Sequence, residues 1–296
     1  QGTTADNGQR TTNEPILASA SYDKTIKLWE PREQSRVTLQ HPDDVIDVTF
    51  SPDGALMATA NKDKMVRIWN RSGQLLHTLR GHTESVERIS FSPDSQLLAS
   101  ASRDGTVKLW TRRGALLKTL TGQSSGFEDV RFSPDGERLV GASWDGTVTL
   151  WNRNGTRLKS WHAHQKRVNA VSFSPNGQFL ASASDDNTVK LWTEDGRLLN
   201  TLRGHGNWVL DISFSPDSQM LASASYDNTV KLWNRKGTLI RTLKGHTDSV
   251  ARVQFSPSGK ILATTSWDNQ VQLWRLDDTL LKTLDGFKER VTSVRW

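Results

Sequence analysis

The chain has 296 residues, no cysteine, 12 tryptophans and a formal net charge of +6 from 38 basic and 32 acidic residues. The lack of cysteine excludes disulfides and thiolate metal sites and fits a reducing compartment, so we expect a cytoplasmic protein. No apolar run reaches the roughly 18 residues of a membrane span, and no signal peptide opens the chain.

A repeat of 41 residues organises most of the chain. A fixed period in this range is typical of units too small to bury their own cores, which therefore stack on their neighbours. The sequence predicts one repeat domain at residues 16–296, after a polar and mobile tail at residues 1–15. A tryptophan closes each unit, with a first gap of 40 residues and later gaps of 41, at Trp29, Trp69, Trp110, Trp151, Trp192, Trp233 and Trp274.

Short strand candidates fill each unit. Three open the chain, at Ile16–Ser21, Thr25–Trp29 and roughly Arg36–Leu39, and a single one closes it, at Val291–Trp296. These segments are rich in β-branched, aliphatic and aromatic residues, and they are too short for helices. Ser-Pro-Asp-Gly and Asp-Gly or Asp-Asn turns separate them, which predicts four antiparallel strands per unit. In one complete unit the candidates are Val86–Phe91, Leu97–Ser102, Thr106–Trp110 and Leu116–Leu120.

The order of the markers within a unit is Gly-His, Ser-Pro-Asp-Gly, Ala-Ser-x-Asp and Leu-Trp, as in the stretch from Gly81 to Trp110. These markers resemble the WD-repeat family, although the residue after each tryptophan is never Asp. The resemblance implies an all-β, seven-bladed β-propeller of four-stranded antiparallel blades around a central channel. The uniform units are similar to bacterial, particularly cyanobacterial, WD-repeat proteins, and an engineered chain remains an alternative.

The two ends of the chain predict how such a ring closes. The N-terminus supplies three strands of one blade, and the C-terminus supplies a first strand. We therefore expect the C-terminal strand to pair with the N-terminal three, because this pairing removes the exposed edges. We also expect the ring to be a monomer.

The resemblance further implies a buried hydrogen-bonded set of His, Ser or Thr, Asp and Trp in each unit. Two units depart: one has Gln123 and Gly141, and the closing one has Phe287. The complete sets are His41, Thr59, Asp63 and Trp69; His82, Ser100, Asp104 and Trp110; His164, Ser182, Asp186 and Trp192; His205, Ser223, Asp227 and Trp233; and His246, Thr264, Asp268 and Trp274.

Ser, His and Asp together also suggest a hydrolase triad. A catalytic group is needed once, whereas this set recurs five times, so we interpret it as structural and expect no enzyme. A metal site is not expected either, since the His-x-His pair of His162 and His164 has no third ligand nearby in sequence. We expect no cofactor, because no glycine-rich phosphate loop is present.

Differences between the units indicate where a partner would bind. The Gly-His loop and the Asp turn lie at one end of the implied ring, which we call the top, and in the family this face binds partners. The residue before each turn Asp varies sharply, as do two positions at the start of each first strand. We take ten of these residues as partner-binding candidates: Tyr22, Lys62, Arg103, Trp144, Arg167, Trp208, Leu210, Tyr226, Trp267 and Arg290.

Five of the candidates fall in three consecutive blades and predict one aromatic arc: Tyr22, Trp208, Leu210, Tyr226 and Trp267. Trp144 stands apart, flanked by Arg103 and Arg167. We expect a non-catalytic protein–protein interaction scaffold whose rigid top face presents this arc to a peptide or a protein domain. The alternative is a nucleic-acid-associated protein that uses a basic outer rim. This rim consists of basic residues in the outer strands and their turns: Arg71, Arg112, Arg113, Lys118, Arg153, Arg157, Lys159, Arg235, Lys236 and Arg241. That rim is spread around the ring, which is more typical of a solvated face, so we rank nucleic acid below a protein partner.

Overall fold

The computed structural model describes residues 17–29, 37–122 and 125–296, and the predicted tail, Ile16, Arg36 and Gln123 lie outside them. The described residues form strands and no helix. The first three strands are β1 (Leu17–Ser21), β2 (Thr25–Trp29) and β3 (Val37–Gln40). The next strands are β4 to β7 at Val45–Phe50, Leu56–Asn61, Val66–Asn70 and Leu75–Leu79; β8 to β11 at Val86–Phe91, Leu97–Ser102, Thr106–Thr111 and Leu116–Thr121; and β12 to β15 at Phe127–Phe132, Arg138–Ser143, Thr147–Asn152 and Arg157–His162. The remaining strands are β16 to β19 at Val168–Phe173, Phe179–Ser184, Thr188–Thr193 and Leu198–Arg203; β20 to β23 at Val209–Phe214, Met220–Ser225, Thr229–Asn234 and Leu239–Lys244; β24 to β27 at Val250–Phe255, Ile261–Ser266, Val271–Arg275 and Leu280–Leu284; and β28 at Val291–Arg295.

The strands of the described residues form seven antiparallel sheets of four, which confirms the predicted propeller. We number as blades 1 to 6 the sheets that begin with β4, β8, β12, β16, β20 and β24. Blade 7 has the order β28-β1-β2-β3. Ala18, Ser19 and Ala20 of β1 pair with Arg295, Val294 and Ser293 of β28. The C-terminal strand therefore closes the ring on the N-terminal three, as the sequence predicts.

The hydrophobic cores lie between neighbouring blades. One cluster joins Ile68 and Leu79 of blade 1 to Ile89 and Trp110 of blade 2, and equivalent clusters fill the other blade interfaces. Each tryptophan at the end of a third strand thus packs on the blade before its own. Because a single blade buries its residues only against its neighbours, the ring is stable only as a whole.

The tight turns occur where the sequence places them. The residue after the turn Asp has a left-handed backbone, with φ of 80° at Gly105 and 66° at Asn228. Glycine and asparagine adopt this conformation at the least cost. In the part of the chain that the structure describes, no helix is long and apolar enough to cross a membrane.

Candidate functional site

A backbone hydrogen bond joins the variable positions at the top of every blade. In blade 5 the N–H of Tyr226, which precedes the turn Asp, donates to the carbonyl of Trp208 at 2.9 Å. The six other pairs have distances of 2.9–3.1 Å, so the two variable loops of each blade lie side by side. They are Lys62 with Asp44, Arg103 with Ser85, Trp144 with Gly126, Asp185 with Arg167, Trp267 with Ser249, and Tyr22 with Arg290.

A β-bulge aims the next variable position into the channel. In blade 5, Val209 pairs with Ser225 and Asp211 with Ala224, which leaves Leu210 as the extra residue. A bulge bends its strand and redirects a side chain. The same bulge occurs in each blade, and the seven extra residues line one cavity: Ile46, Glu87, Glu128, Asn169, Leu210, Ala251 and Thr292.

The cavity at the top of the channel has a volume of about 290 Å³. It brings together eight of the ten partner-binding candidates, including the whole aromatic arc. Lys62 and Trp144 lie outside its lining. The eight that line it are Tyr22, Arg103, Arg167, Trp208, Leu210, Tyr226, Trp267 and Arg290.

Three rings of the aromatic arc form a connected series. The ring centroids of Trp208 and Tyr226 are 5.4 Å apart, and those of Tyr226 and Trp267 are 5.3 Å apart at 86°. The Arg290 guanidinium lies 4.1 Å from the Trp267 ring centroid and extends the series into blade 7. Tyr22 follows on that blade, with the Lys62 ammonium 6.0 Å from its ring. Edge-to-face contacts of this kind hold each ring in a fixed orientation.

Trp144 lies against two of the basic candidates. The guanidinium of Arg103 is 5.4 Å from its ring, and that of Arg167 is 4.5 Å away. Its indole N–H donates to Glu128 at 2.9 Å. Trp144 thus braces the opposite side of the cavity from the aromatic arc.

Most charges at the top are paired. Arg103 binds Glu87 at 2.6 Å, Arg167 binds Glu128, and Lys62 binds Asp44 at 3.1 Å. Although burial opposes ionisation, the Arg167 guanidinium lowers the pKa of Glu128.

Two acidic groups of the cavity have raised pKa values. Burial raises the pKa of Asp185, which accepts a 2.6 Å hydrogen bond from the Asn169 amide. Burial, followed by the nearby charge of Glu128, raises the pKa of Glu87. The acidic groups of the cavity are therefore already engaged with donors from the protein itself.

One residue that lines the cavity was not predicted from the sequence. Arg252, on the first strand of blade 6, lines the cavity from below. Most of the residues at the equivalent position of the other blades are charged, and aspartate and arginine alternate among them. This pattern in the sequence could have identified Arg252. The seven residues are Asp47, Arg88, Asp129, Ala170, Asp211, Arg252 and Ser293.

Four of the five predicted hydrogen-bonded sets have one geometry. In blade 2 the Trp110 indole N–H donates to Ser100 at 2.8 Å, and Ser100 lies 2.7 Å from His82 Nε2. His82 Nδ1 lies 2.8 Å from Asp104. Because a carboxylate only accepts hydrogen bonds, His82 Nδ1 is the donor to Asp104. The same set forms in blade 4 at His164, Ser182, Asp186 and Trp192; in blade 5 at His205, Ser223, Asp227 and Trp233; and in blade 6 at His246, Thr264, Asp268 and Trp274.

The set contains the residue types of a hydrolase triad, but its serine is not accessible to a substrate. The Ser100 hydroxyl is fully buried and is held between Trp110 and His82. Both ring nitrogens of His164 are likewise engaged, by Asp186 and Ser182, so the pairing of His162 with His164 provides no free ligand there. The geometry accordingly favours a structural role.

The blade 1 set departs from the prediction. Trp69 donates to Thr59 at 3.2 Å, but neither ring nitrogen of the buried His41 has a partner among the described residues. Two residues outside the predicted set compete for its partners. Arg67 binds both carboxylate oxygens of Asp63, at 3.2 and 2.5 Å, and the Thr59 hydroxyl donates to Asn61 at 3.2 Å.

The other blades explain why His41 is isolated. Lys108 and Lys231 stand at the position of Arg67, and each turns away from its Asp to a threonine in the fourth strand, at 3.0 Å. A bidentate guanidinium captures a carboxylate more strongly than an ammonium does. Desolvation accordingly lowers the pKa of His41 to about 4.

We expect the double variant Arg67→Lys with Asn61→Ser to restore the blade 1 set and to raise the pKa of His41. In the wild type, His41 stays neutral in the folded state while the unfolded chain takes up a proton. The contribution of His41 to the free energy of unfolding is therefore fully present above about pH 6.5, and it falls by about 3 kcal/mol as the pH drops towards 4. NMR titration of the His41 ring checks this.

The matched control is Arg112→Lys, which alters an exposed ion pair with Asp53. It should leave the titration of His41 at its wild-type value. A double variant that also titrates as the wild type would contradict the competition between Arg67 and His41.

Blades 3 and 7 place a phenylalanine ring against the tryptophan: Phe127 from the first strand of blade 3, and Phe287 at the histidine position of blade 7. The Phe127 ring lies 5.6 Å from that of Trp151, and the Phe287 ring lies 5.9 Å from that of Trp29. Gly141 accommodates this packing, since a Cβ there would come within 2.8 Å of Trp151. Gln123 lies outside the described residues, so its predicted departure from the hydrogen-bonded set stays a prediction.

The sequence is similar to known repeat proteins along short stretches. It is 47% identical to a coronin-like protein of Saccharomyces cerevisiae over 58 residues, 41% identical to the nuclear distribution protein PAC1 of Fusarium vanettenii over 81, and 43% identical to a Notchless protein homolog of Arabidopsis thaliana over 70. These matches cover 19%, 23% and 22% of this chain, and only 9%, 18% and 15% of the respective relatives.

The family model described as "WD domain, G-beta repeat" matches seven successive segments, which together include most of the chain. The matched residues are 10–30, 33–70, 73–111, 114–152, 155–193, 196–234 and 237–275. Each match ends within one or two residues of the tryptophan that closes a third strand. With seven matched repeats and one closed ring of seven blades, the chain belongs to the WD-repeat family of β-propellers.

Proposed function

We propose that this ring is a non-catalytic protein-interaction scaffold that holds a peptide or a domain of a partner against the aromatic arc. WD-repeat propellers generally bind protein partners. The observation that carries the proposal is the exposure of Trp208 and Tyr226, 44% and 36%, at the mouth of the channel. Exposed tryptophan and tyrosine beside a cavity are the side chains that dominate binding hot spots.

The fixed geometry of the aromatic arc supports the same role. The tilted and edge-to-face ring contacts and the backbone bond from Tyr226 to Trp208 hold these side chains in place before a partner arrives. Binding to a preorganised surface loses less side-chain entropy, so more of the contact energy contributes to affinity.

The test is capture of crosslinked partners by the wild type and by Trp208→Ala, Tyr226→Ala and Trp267→Ala, quantified by mass spectrometry. We expect each variant to weaken capture of the same partner by about tenfold or more, as for hot-spot residues. Leu117→Ala on the fourth strand of blade 2 is the matched control, because Leu117 is exposed and apolar but lies outside the cavity. Unchanged capture by all three aromatic variants would refute the proposal.

The basic outer rim gives the nucleic-acid alternative little support. Arg112 binds Asp53 at 3.0 Å, Arg153 binds Asp94 at 2.5 Å, and Arg241 binds Asp278 at 3.1 Å. Each of these pairs joins neighbouring blades, so these three arginines are already paired with a carboxylate. Duplex and single-stranded DNA titrated at several salt concentrations separate the two functions, since phosphate contacts weaken steeply with salt.

A further inference from the structure

The guanidinium groups of the cavity fall into two classes. Arg103 and Arg167 are each paired with a glutamate of the cavity wall. Arg252 and Arg290 line the same cavity, but no carboxylate of the described residues lies within ion-pair distance of either. The cavity therefore has two cationic groups that form no ion pair among the described residues.

Arg252 is the more deeply placed of the two. Its Nη1 donates to the carbonyl of Ala251 at 2.9 Å, while its buried Nε has no partner among the described residues. Desolvation and the nearby charge of Arg88 lower the pKa of Arg252. A buried guanidinium gains more free energy from binding an anion than a solvated guanidinium does.

Arg290 stands at the rim above the same side of the cavity. Its guanidinium carbon lies 4.1 Å from the Trp267 ring centroid. Trp267 thus joins Arg290 to the rest of the aromatic arc. The acidic residues Glu87, Glu128 and Asp185 lie on blades 2, 3 and 4, whereas the two arginines belong to blades 6 and 7.

We propose that the cavity binds an acidic side chain of a partner peptide, with its carboxylate between Arg252 and Arg290 and an adjoining apolar side chain against the aromatic arc. The inference rests on the proposed function and names the chemistry of the partner. A basic side chain is the weaker fit. The three acidic groups that would receive it already accept bonds from Arg103, Arg167 and Asn169.

The probes are three acetylated and amidated pentapeptides, Ala-Phe-Glu-Phe-Ala and its versions with Gln or Lys in the centre. NMR titration of the Trp208 and Trp267 indole N–H signals at low ionic strength measures their affinity. We expect the Glu peptide to bind about tenfold more tightly than the Gln peptide, and the Lys peptide to bind weakest.

Arg290→Gln should abolish the preference for Glu over Gln. Arg252→Gln should have the same effect, which provides a second variant from a different blade. Lys288→Gln is the matched control, because it removes the same charge from the exposed loop of Arg290 without lining the cavity. This control should retain the preference.

Equal binding of the Glu and Gln peptides, tightest binding of the Lys peptide, or no binding of any of the three would each overturn the inference. The proposed function fails by a different result. If Trp267→Ala leaves both peptide binding and partner capture unchanged, the aromatic arc is not the docking face. If that variant abolishes capture while the Glu and Gln peptides bind alike, only the acidic partner is refuted.

Discussion

Replacing Arg88 by methionine is expected to lower the free energy of unfolding by about 3–5 kcal/mol, the usual cost of breaking a buried ion pair from one side. Arg88 lies on the first strand of blade 2 and reaches across the channel to Asp211 of blade 5, at 3.0 Å. Both side chains are buried. The variant would leave the Asp211 carboxylate without its main cationic partner in a poorly solvated channel.

Asp211 also connects two adjacent blades. Its second carboxylate oxygen accepts the backbone N–H of Val253 on blade 6, at 3.0 Å. Asp47 and Asp129 accept the corresponding N–H groups of Ile89 and Val171, both at 3.1 Å. Although burial opposes ionisation, Arg88 lowers the pKa of Asp211 and keeps it in the charged form that accepts these bonds most strongly.

Adding Asp211→Asn to Arg88→Met should recover most of the lost stability. An asparagine oxygen still accepts the Val253 N–H, and both charges of the pair are removed together. Equilibrium unfolding in urea of the wild type, both single variants and the double variant gives the coupling energy directly.

The matched control for this cycle is Arg112→Met, which breaks the exposed pair with Asp53 and should cost about 0–1 kcal/mol. If Arg88→Met costs no more than this control, the pair across the channel does not stabilise the ring. If the double variant is as unstable as the sum of its parts, the two residues are not coupled.

The architecture could be predicted because the period carries it. One tryptophan every 41 residues sets one blade per unit, and the complementary ends of the chain predict the pairing of β1 with β28. The predicted candidates at the top converge on one cavity for a similar reason. Every blade repeats the same bulge and the same backbone bond. The positions that differ from one unit to the next therefore lie close together at the top of the ring.

The rest could not be predicted because it depends on contacts between unlike positions. His41 matches the pattern of its set, yet Arg67 takes the carboxylate, and nothing in the repeat assigns a role to that position. The pair of Arg88 and Asp211 joins residues 123 apart across the channel. Its formation depends on the width of the ring and on the reach of one arginine, which the period does not specify.

A chain that ends at Arg290 is expected not to fold into a cooperative ring. It lacks β28, and with it the completely buried Val291 and Val294, whose burial contributes about 3–6 kcal/mol. It also loses the bonds by which β28 joins blade 1, from Thr292 to Val45 at 2.7 Å and from Ser293 to Asp47 at 2.5 Å. This sum approaches the whole stability of a typical domain, about 5–15 kcal/mol.

The truncated chain should be rescued by a synthetic peptide of residues 287–296, because the missing strand supplies contacts rather than chain connectivity. Differential scanning calorimetry should show no cooperative transition without the peptide and a peptide-dependent transition with it.

The matched control is the same peptide with Val291→Asp and Val294→Asp, which cannot fill the core between blades 6 and 7. A truncated chain that unfolds cooperatively at the wild-type temperature would show that the ring does not need closure. Rescue by the control peptide would show that backbone pairing to β1 suffices without the buried valines. Because β28 packs between blades 6 and 7 and also bonds to blade 1, its loss tests whether the five other interfaces can hold an open arc of blades. The exposed edge of β1 argues that they cannot.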